Sequence, residues 1–409
     1  MRILIVSQYF WPENFRINDL AGELAGRGHS VTVLTGLPSY PGGEVFAEYE
    51  SDPPRFRKFR GADVIRVPLI PRGKSRVQVA LNFVSFALSA MIVGAWRLRG
   101  RQFDAVFVFA PSPITVGLPG VILGKLKKTP VVLWVLDQWP ETLQAVGAVK
   151  SRMILRGVGS FVSFIYRRCS VILGQSRGFV SQIRRYSGPH PVVEYFPNWS
   201  DVASDFERVD AAPEVPALPG VLTVLFAGNI GDAQDFPAIL DAAEIMKDRD
   251  DVRWIVVGDG HKASWVAGEV QRRGLTGRMS LLGRFPLERM PSFFKSADAL
   301  LVSLRPDPVF ALTIPGKVQS YLAAGRPLVG MMDGEGAELI ASSDAGLVCS
   351  AGDAKGLAAI LVKLAETPAT ERALMGARAK RLYEGEFERD RQISRLEAMF
   401  SSLGASSQP

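Results

Sequence analysis

Apolar positions along this chain follow two alternating rhythms. Short unbroken apolar runs, such as RILIVS at residues 2–7, mark strands buried on both faces. Stretches with apolar positions three and four apart lie between them. INDLAGELAGRGH at 17–29 is one, predicting a helix that ends at Gly26 and Gly28. SVTVLTG follows as a second strand, and ADVIRVP, FDAVFVFA, PVVLWVLD, SVILGQS and PVVEYFPN continue the series. The rhythm restarts with LTVLFAGNIG, a helix over 236–247, and the runs VRWIVVGDG, MSLLGRFP, ADALLVSL, RPLVGMMD and AGLVCSAG. Alternation of this kind predicts an α/β protein with parallel sheets and helices on both faces.

Residues 200–220, rich in Pro, Asp and Ala, interrupt the periodicity and read as a linker. The expected plan is two Rossmann-like domains, 1–199 and 221–385, with parallel sheets facing across a cleft. A last helix is expected over about 369–403, its end from residue 386 onward packing back on the first domain. In such sheets ligands lie beyond the carboxyl ends of the strands.

One segment bears on membranes. Residues 77–96, VQVALNFVSFALSAMIVGAW, carry no charge and sit between Arg72, Lys74 and Arg76 on one side and Arg97, Arg99 and Arg101 on the other. That length just suffices to span a bilayer, at roughly 20 residues. Gln78, Asn82, Ser85 and Ser89 recur at helical spacing and form a polar stripe, which weighs against a span. A mostly buried domain helix and an interfacial helix with basic ends both remain open. RMILRGVGSFVSFIYRR at 152–168 is a second basic, amphipathic stretch.

Charge sharpens that picture. Residues 1–200 hold 25 Lys/Arg against 12 Asp/Glu, and residues 201–409 hold 23 against 29, so a basic half precedes a mildly acidic one. The basic half predicts an anionic partner. Its charge brackets apolar helices without interleaved stacking aromatics on strands, which argues against nucleic acid. Cys169 and Cys349 stand apart in apolar runs and read as buried hydrophobes, and three scattered histidines make no metal site. The apolar part of MRILIVSQYF is too short for a signal peptide.

Candidate chemistry gathers in the second half. The first strand is followed by SQYFWPENFRIND, which has no glycine, so a dinucleotide fingerprint is missing there. FAGNIGDAQD, VVGDG and LLGRFP instead put Gly228, Asn229, Gly231, Gly258, Gly260 and Arg284 at the ends of successive strands. LTIPGKVQSYLAAGRP, residues 312–327, adds a helix entrance. Pro315 suits its first turn, the amides of Gly316, Lys317 and Val318 would face an anion, and Lys317 supplies a cation, with Arg305 as a second. These features predict a diphosphate cradle.

With these motifs in place the chain resembles the family-4 retaining glycosyltransferases of the GT-B fold. More narrowly it is similar to bacterial surface-polysaccharide fucosyl and N-acetylfucosaminyl transferases. The resemblance rests on ILIVSQYFWPENFRINDLAGELAGRGHSVTVLTGLPSYP, LWVLDQWPET, FPNWSD, FAGNIGDAQ, VGDG, LTIPGKVQSYLAAGRPLV and DGEGAELI. It implies a nucleotide diphosphate sugar as donor, UDP before GDP, with no other cofactor and no metal. It also implies an acceptor sugar on a polyprenyl diphosphate, and a place on the inner face of the cytoplasmic membrane. His29 looks structural. Donor contacts fall to Gly228, Asn229, Gly258, Arg284, Arg305, Pro315, Gly316, Lys317 and Glu338 of DGEGAELI. In the first domain Glu13, Arg16, Asp137 and Glu141 are acceptor candidates, and Glu13, Asp137 and Lys317 are the candidates for catalysis.

The chain departs from that family's pattern in telling places. Ser320 and Leu312 stand where the wider family has two glutamates. Asn229 and Gln234 stand where it has Arg and Lys, and Leu136 replaces a histidine before Asp137. Front-face transfer needs charge stabilisation and placement more than a protein nucleophile, so these losses are compatible with activity. A nucleotide-sugar epimerase of the same fold and a non-catalytic membrane scaffold are the alternatives.

Overall fold

The computed structural model describes every residue except Lys74, Val146, 201–205, Glu207 and 406–409. Lys74 beside the 77–96 segment and part of the 200–220 linker thus lie outside the described residues. The chain divides into two compact units, Met1–Phe196 with Asp390–Pro409, and Pro197–Arg389.

The first unit contains β1 (Arg2–Val6), β2 (Ser30–Thr35), β3 (Lys58–Phe59), β4 (Ala62–Arg66), β5 (Ala105–Ala110), β6 (Val131–Val135), β7 (Val171–Gly174) and β8 (Val192–Tyr195). They form one sheet in the order β3-β4-β2-β1-β5-β6-β7-β8. Every pairing is parallel except β3 with β4, where a tight turn through Arg60 and Gly61 reverses the chain. The second unit contains β9 (Leu222–Ala227), β10 (Val252–Val257), β11 (Met279–Gly283), β12 (Ala299–Ser303), β13 (Leu328–Met331) and β14 (Gly346–Cys349). Its sheet runs β11-β10-β9-β12-β13-β14, parallel throughout. Both sheets are doubly wound Rossmann-like sheets, and strand order reverses at β1/β5 and at β9/β12. Such switch points open the crevices where ligands enter.

The helix expected over 369–403 is two helices. Ala369–Leu382 gives way to a π-helical turn at Tyr383–Phe387, and Arg389–Ala405 begins after an extended Glu388. Tyr383 and Phe387 are buried in the second unit's core, which fixes the turn there. The last helix belongs to the first unit from Asp390 on. Ile393, Leu396 and Phe400 are wholly buried, and Phe400 meets Phe107 of β5 edge-on at 5.9 Å. Arg27 donates to Glu397 at 2.8 Å and to Asp390 at 3.2 Å, while His29 Nε2 lies 2.6 Å from Glu397. His29 therefore fastens this helix to the sheet.

The 77–96 segment is helical within Val77–Arg97, the described helix long and apolar enough to cross a membrane, and it is not mostly buried. Its polarity is inverted. Asn82 is 1% exposed, donates to Ile70 O at 2.7 Å and accepts from Gln8 Nε2 at 2.7 Å. Ser85 accepts from Ile70 N at 2.9 Å. Asn82 and Ser85 of the polar stripe thus tie the helix to the body of its unit. Val77, Leu81, Val84, Leu88, Ile92 and Trp96 form an apolar row on the outside, with Val77 and Ile92 about 70% exposed. Met153, Ile154 and Phe164 of the helix Arg152–Tyr166 are exposed as well.

Candidate functional site

In the second unit the site is built where β9 and β12 part. Their pairing is short, Val224 with Ala299 and Leu225 with Leu300. The helix Gly316–Ala323, which follows β12, fills the wedge beyond. Tyr321 takes the place of the missing strand partner. Its hydroxyl accepts from Ala227 N at 2.8 Å and donates to Ala227 O at 3.2 Å. Burial pushes that phenol's pKa far up, so it stays a neutral donor and acceptor.

One turn earlier on the same helix stands Lys317. Its Nζ is enclosed, lies 3.5 Å from the centre of the Phe226 ring, and has no hydrogen-bond partner among the described residues. Burial alone pulls its pKa down to about 7. The aliphatic stem passes so close to Gly228 that a Cβ there would sit 2.6 Å from Lys317 Cε. Gly228, at φ +136°, has a backbone conformation that favours glycine and leaves room for the lysine stem. Gly258 answers a different demand. Its Cβ would lie 1.9 Å from Gly228 O, and its amide donates to Gly283 O at 2.8 Å, so the ends of β9, β10 and β11 are drawn together.

Pro315 is the N-cap of the 316–323 helix and not a member of its first turn. Val318 N donates to Pro315 O at 2.8 Å, so its amide does not face an anion as expected, which leaves those of Gly316 and Lys317 at the helix entrance. Asn229 is exposed and donates to Gln234 Oε1 at 3.4 Å. Arg305 donates its amide to Ala233 O at 2.9 Å and sets its guanidinium 5.5 Å from the Phe310 ring. Arg284 after β11 and Glu338 on the helix Glu335–Ser342 are exposed, and no described contact joins either to Lys317. Ser320 is a buried helix residue whose hydroxyl accepts from Ser200 Oγ at 3.2 Å.

The first unit treats its buried charge differently. Glu13, 3% exposed, accepts from Phe10 N at 3.0 Å, Ser39 N at 2.9 Å and Tyr40 N at 2.8 Å. Burial raises its pKa, and the three amides and Arg66 work against the rise. The carboxylate clamps the loop after β1 to the loop after β2. Arg66 in turn donates to Gly36 O at 2.8 Å and to Trp11 O, and burial lowers its pKa to about 10. Beside this clamp Tyr9 stacks on Phe15 with centroids 5.0 Å apart, Tyr40 packs on both, and Arg72 lies 5.5 Å from the Tyr40 ring. Asp137 accepts from Trp139 Nε1 at 3.1 Å, and Glu141 accepts from the Tyr186 hydroxyl at 2.7 Å. Arg16 opens the helix Arg16–Gly26. Gln138, 3% exposed, leaves both ends of its amide without a partner.

Sequence reasoning missed Phe226, Tyr321 and the Tyr9–Phe15–Tyr40 cluster, because aromatic residues in apolar runs read as core. An available signal was the spacing of Lys317 and Tyr321, four apart on the helix facing the β9 end. Among the described residues no group of three or more His, Cys, Asp or Glu is arranged to hold a metal.

Comparison with known proteins places these two units. Residues 14–199 match the glycosyl transferase 4-like domain, and residues 222–367 match glycosyl transferases group 1. The chain is 27% identical over 345 residues to a putative colanic acid biosynthesis glycosyl transferase, WcaI of Escherichia coli K12, covering 80% of this chain and 82% of that protein. It is 23% identical over 330 residues to the 2-deoxystreptamine glucosyltransferase of Streptomyces kanamyceticus, covering 75% and 79%. In fold it is similar to Anabaena HepE in complex with UDP and glucose, with TM-score 0.67, 17% identity, and 98% and 100% of the two chains covered. It is likewise similar to WaaG, a lipopolysaccharide-biosynthesis glycosyltransferase, with TM-score 0.62, 13% identity, and 94% and 95% covered.

Proposed function

The chain belongs to the family-4 glycosyltransferases of the GT-B fold, and from that premise we propose that it moves a sugar from a nucleotide diphosphate donor to a polyprenyl-diphosphate-linked acceptor in surface-polysaccharide assembly. The observation that carries this reading is the Lys317 niche at the β9/β12 switch point, an enclosed amine-bearing side chain beside a helix entrance. Lys317 and the amides of Gly316 and Lys317 are the residues we assign to the donor diphosphate, with Arg305 and Arg284 as outer cations. The similarity to WcaI supports the polysaccharide setting, and the UDP held by HepE supports UDP over GDP. N-acetyl-L-fucosamine or a related acetamido deoxysugar is the proposed donor sugar. We propose retaining, front-face transfer. The bond from the anomeric carbon to the diphosphate breaks while the acceptor oxygen bonds to the same face. The leaving phosphate oxygen takes the acceptor's proton, and the Lys317 niche stabilises the charge it gains.

The acceptor side is assigned to the first unit's loops. The Tyr9–Phe15–Tyr40 faces suit a sugar ring, Asp137 and Arg16 line the same sheet edge, and Glu13 acts by holding the loops. The outward apolar row of the Val77–Arg97 helix, with Arg97 and Arg99 at its end, supports peripheral binding to the inner face of the cytoplasmic membrane. A melting panel with UDP, GDP and their sugars tests the donor reading. Stabilisation by UDP is expected, reaching about 2.7 kcal/mol at a hundredfold excess over Kd. No response to any nucleotide would overturn it.

A further inference from the structure

We propose that donor binding is coupled to proton uptake, with Lys317 a neutral amine in the free enzyme and an ammonium in the nucleotide complex. The inference rests on the donor site proposed above and deepens it. Its foundation is the geometry of the niche. Nζ is enclosed between the Phe226 ring and the backbone at Gly228, and none of its hydrogens meets an acceptor atom. A lysine head kept from water in this way is held in the form that costs least, which is the uncharged one.

Among the described residues no charged group answers it from the surrounding elements. From β9 it meets Phe226 and the Gly228 backbone. On its own helix the nearest titratable group is Tyr321, whose hydroxyl is engaged at both ends by Ala227. Asp232, Asp235 and Asp259 after β9 and β10, and Glu335 and Glu338 on the helix Glu335–Ser342, do not shift its pKa, for which burial is the sole cause. Asp232 is spent on Lys262 and His261, and Asp307 caps its own helix through Val309 N.

An arriving diphosphate changes this balance. Its negative charge at the Gly228 loop and the 316–323 helix entrance favours the ammonium. The Phe226 face supports the cation once formed. The step is R–NH2 + H+ → R–NH3+, with the proton drawn from solvent and returned when the nucleoside diphosphate leaves. The niche thus presents its positive charge only to a ligand, and donor affinity declines as protons become scarce.

Isothermal titration of the full chain with UDP tests this in two buffers of different ionisation enthalpy. Near pH 8 the second phosphate ionisation of free UDP, at about 6, is complete. Wild type should take up close to one proton per UDP there, and its affinity should fall about tenfold per pH unit above that. Lys317→Arg, charged at every accessible pH, should bind without proton uptake, and Lys317→Met should lose both uptake and pH slope. UDP binding by wild type without proton uptake would overturn the coupling while leaving the donor site standing. Equal uptake by Lys317→Met would do the same. Failure of UDP and GDP to bind at millimolar concentration would overturn the donor site itself, and the coupling with it. If the arginine variant does not fold, wild type alone decides, through the rise in proton number from about one half near pH 7, where free UDP has mostly lost its own phosphate proton, to near one at about pH 8.

Discussion

Glu13, which is buried, and Lys317, whose Nζ is enclosed, are ionisable side chains at the carboxyl edges of two sheets of the same design, and they are treated in opposite ways. Glu13 receives three backbone amides, so its charge is consumed in holding two loops. Among the described residues the Nζ of Lys317 meets no hydrogen-bond partner. A buried charge whose partners are complete is part of the architecture. One left without partners in a crevice carries a stability cost that only deprotonation or a ligand relieves.

The largest effect should come from removing the clamp. Glu13→Ala leaves three amides unpaired in a buried corner and should cost the first unit about 3–5 kcal/mol in chemical denaturation. A loss below about 1 kcal/mol would show that the carboxylate is not what joins the loops.

Lys317→Met should behave in the opposite sense, stabilising the second unit by about 1–4 kcal/mol near pH 7 while weakening UDP binding about a hundredfold. The sign follows from linkage. The unfolded lysine keeps its proton to about 10.5 and the folded one loses it at about 7. Between these values the unfolded chain binds more protons, so wild type gains stability as pH rises, by about 1.4 kcal/mol per unit. The penalty is complete below pH 7. The variant's advantage should therefore shrink from pH 7 towards 10, measured by thermal melting across pH. A constant advantage would mean that Lys317 is no more protonated in one state than in the other.

Tyr321→Phe tests the wedge between β9 and β12 without touching charge. Two groups of Ala227 lose their partner, with an expected cost of about 1–3 kcal/mol to the second unit. A cost confined to the first unit would contradict the assignment. The smallest effect on stability is expected from Leu88→Asp with Ile92→Asp, since both side chains face outward. The double variant should lose co-sedimentation with anionic vesicles while melting within about 1 kcal/mol of wild type. Unchanged vesicle binding would remove this helix from the membrane reading.

Much of the fold was legible in the sequence because buried parallel strands leave unbroken apolar runs, such as AVFVFA of β5, that nothing else in the chain imitates. The two-residue β3 was too short to leave such a trace. Period alone did not reveal that the stripe through Asn82 and Ser85 points inward, because a moment marks two faces without saying which meets the core. The break at 383–388 was hidden because Tyr383 and Phe387 continue a helical spacing. At the site, Lys317, Gly228 and Gly258 could be named from strand-end glycines and a Pro-Gly-Lys turn. The enclosure of the lysine could not, since it depends on Phe226, which is three-dimensionally adjacent and 91 positions away in the chain.

The fastening of the last helix by Arg27, His29 and Phe400 bears on how the protein is made. Residues 197–389 are contiguous and can complete their core while the chain is still being synthesised. The first unit, which precedes them, must wait for the segment from Asp390 on before Phe400 covers Phe107. A chain cut before residue 390 would therefore carry its damage in the sheet of β1 to β8, far away in sequence from the cut.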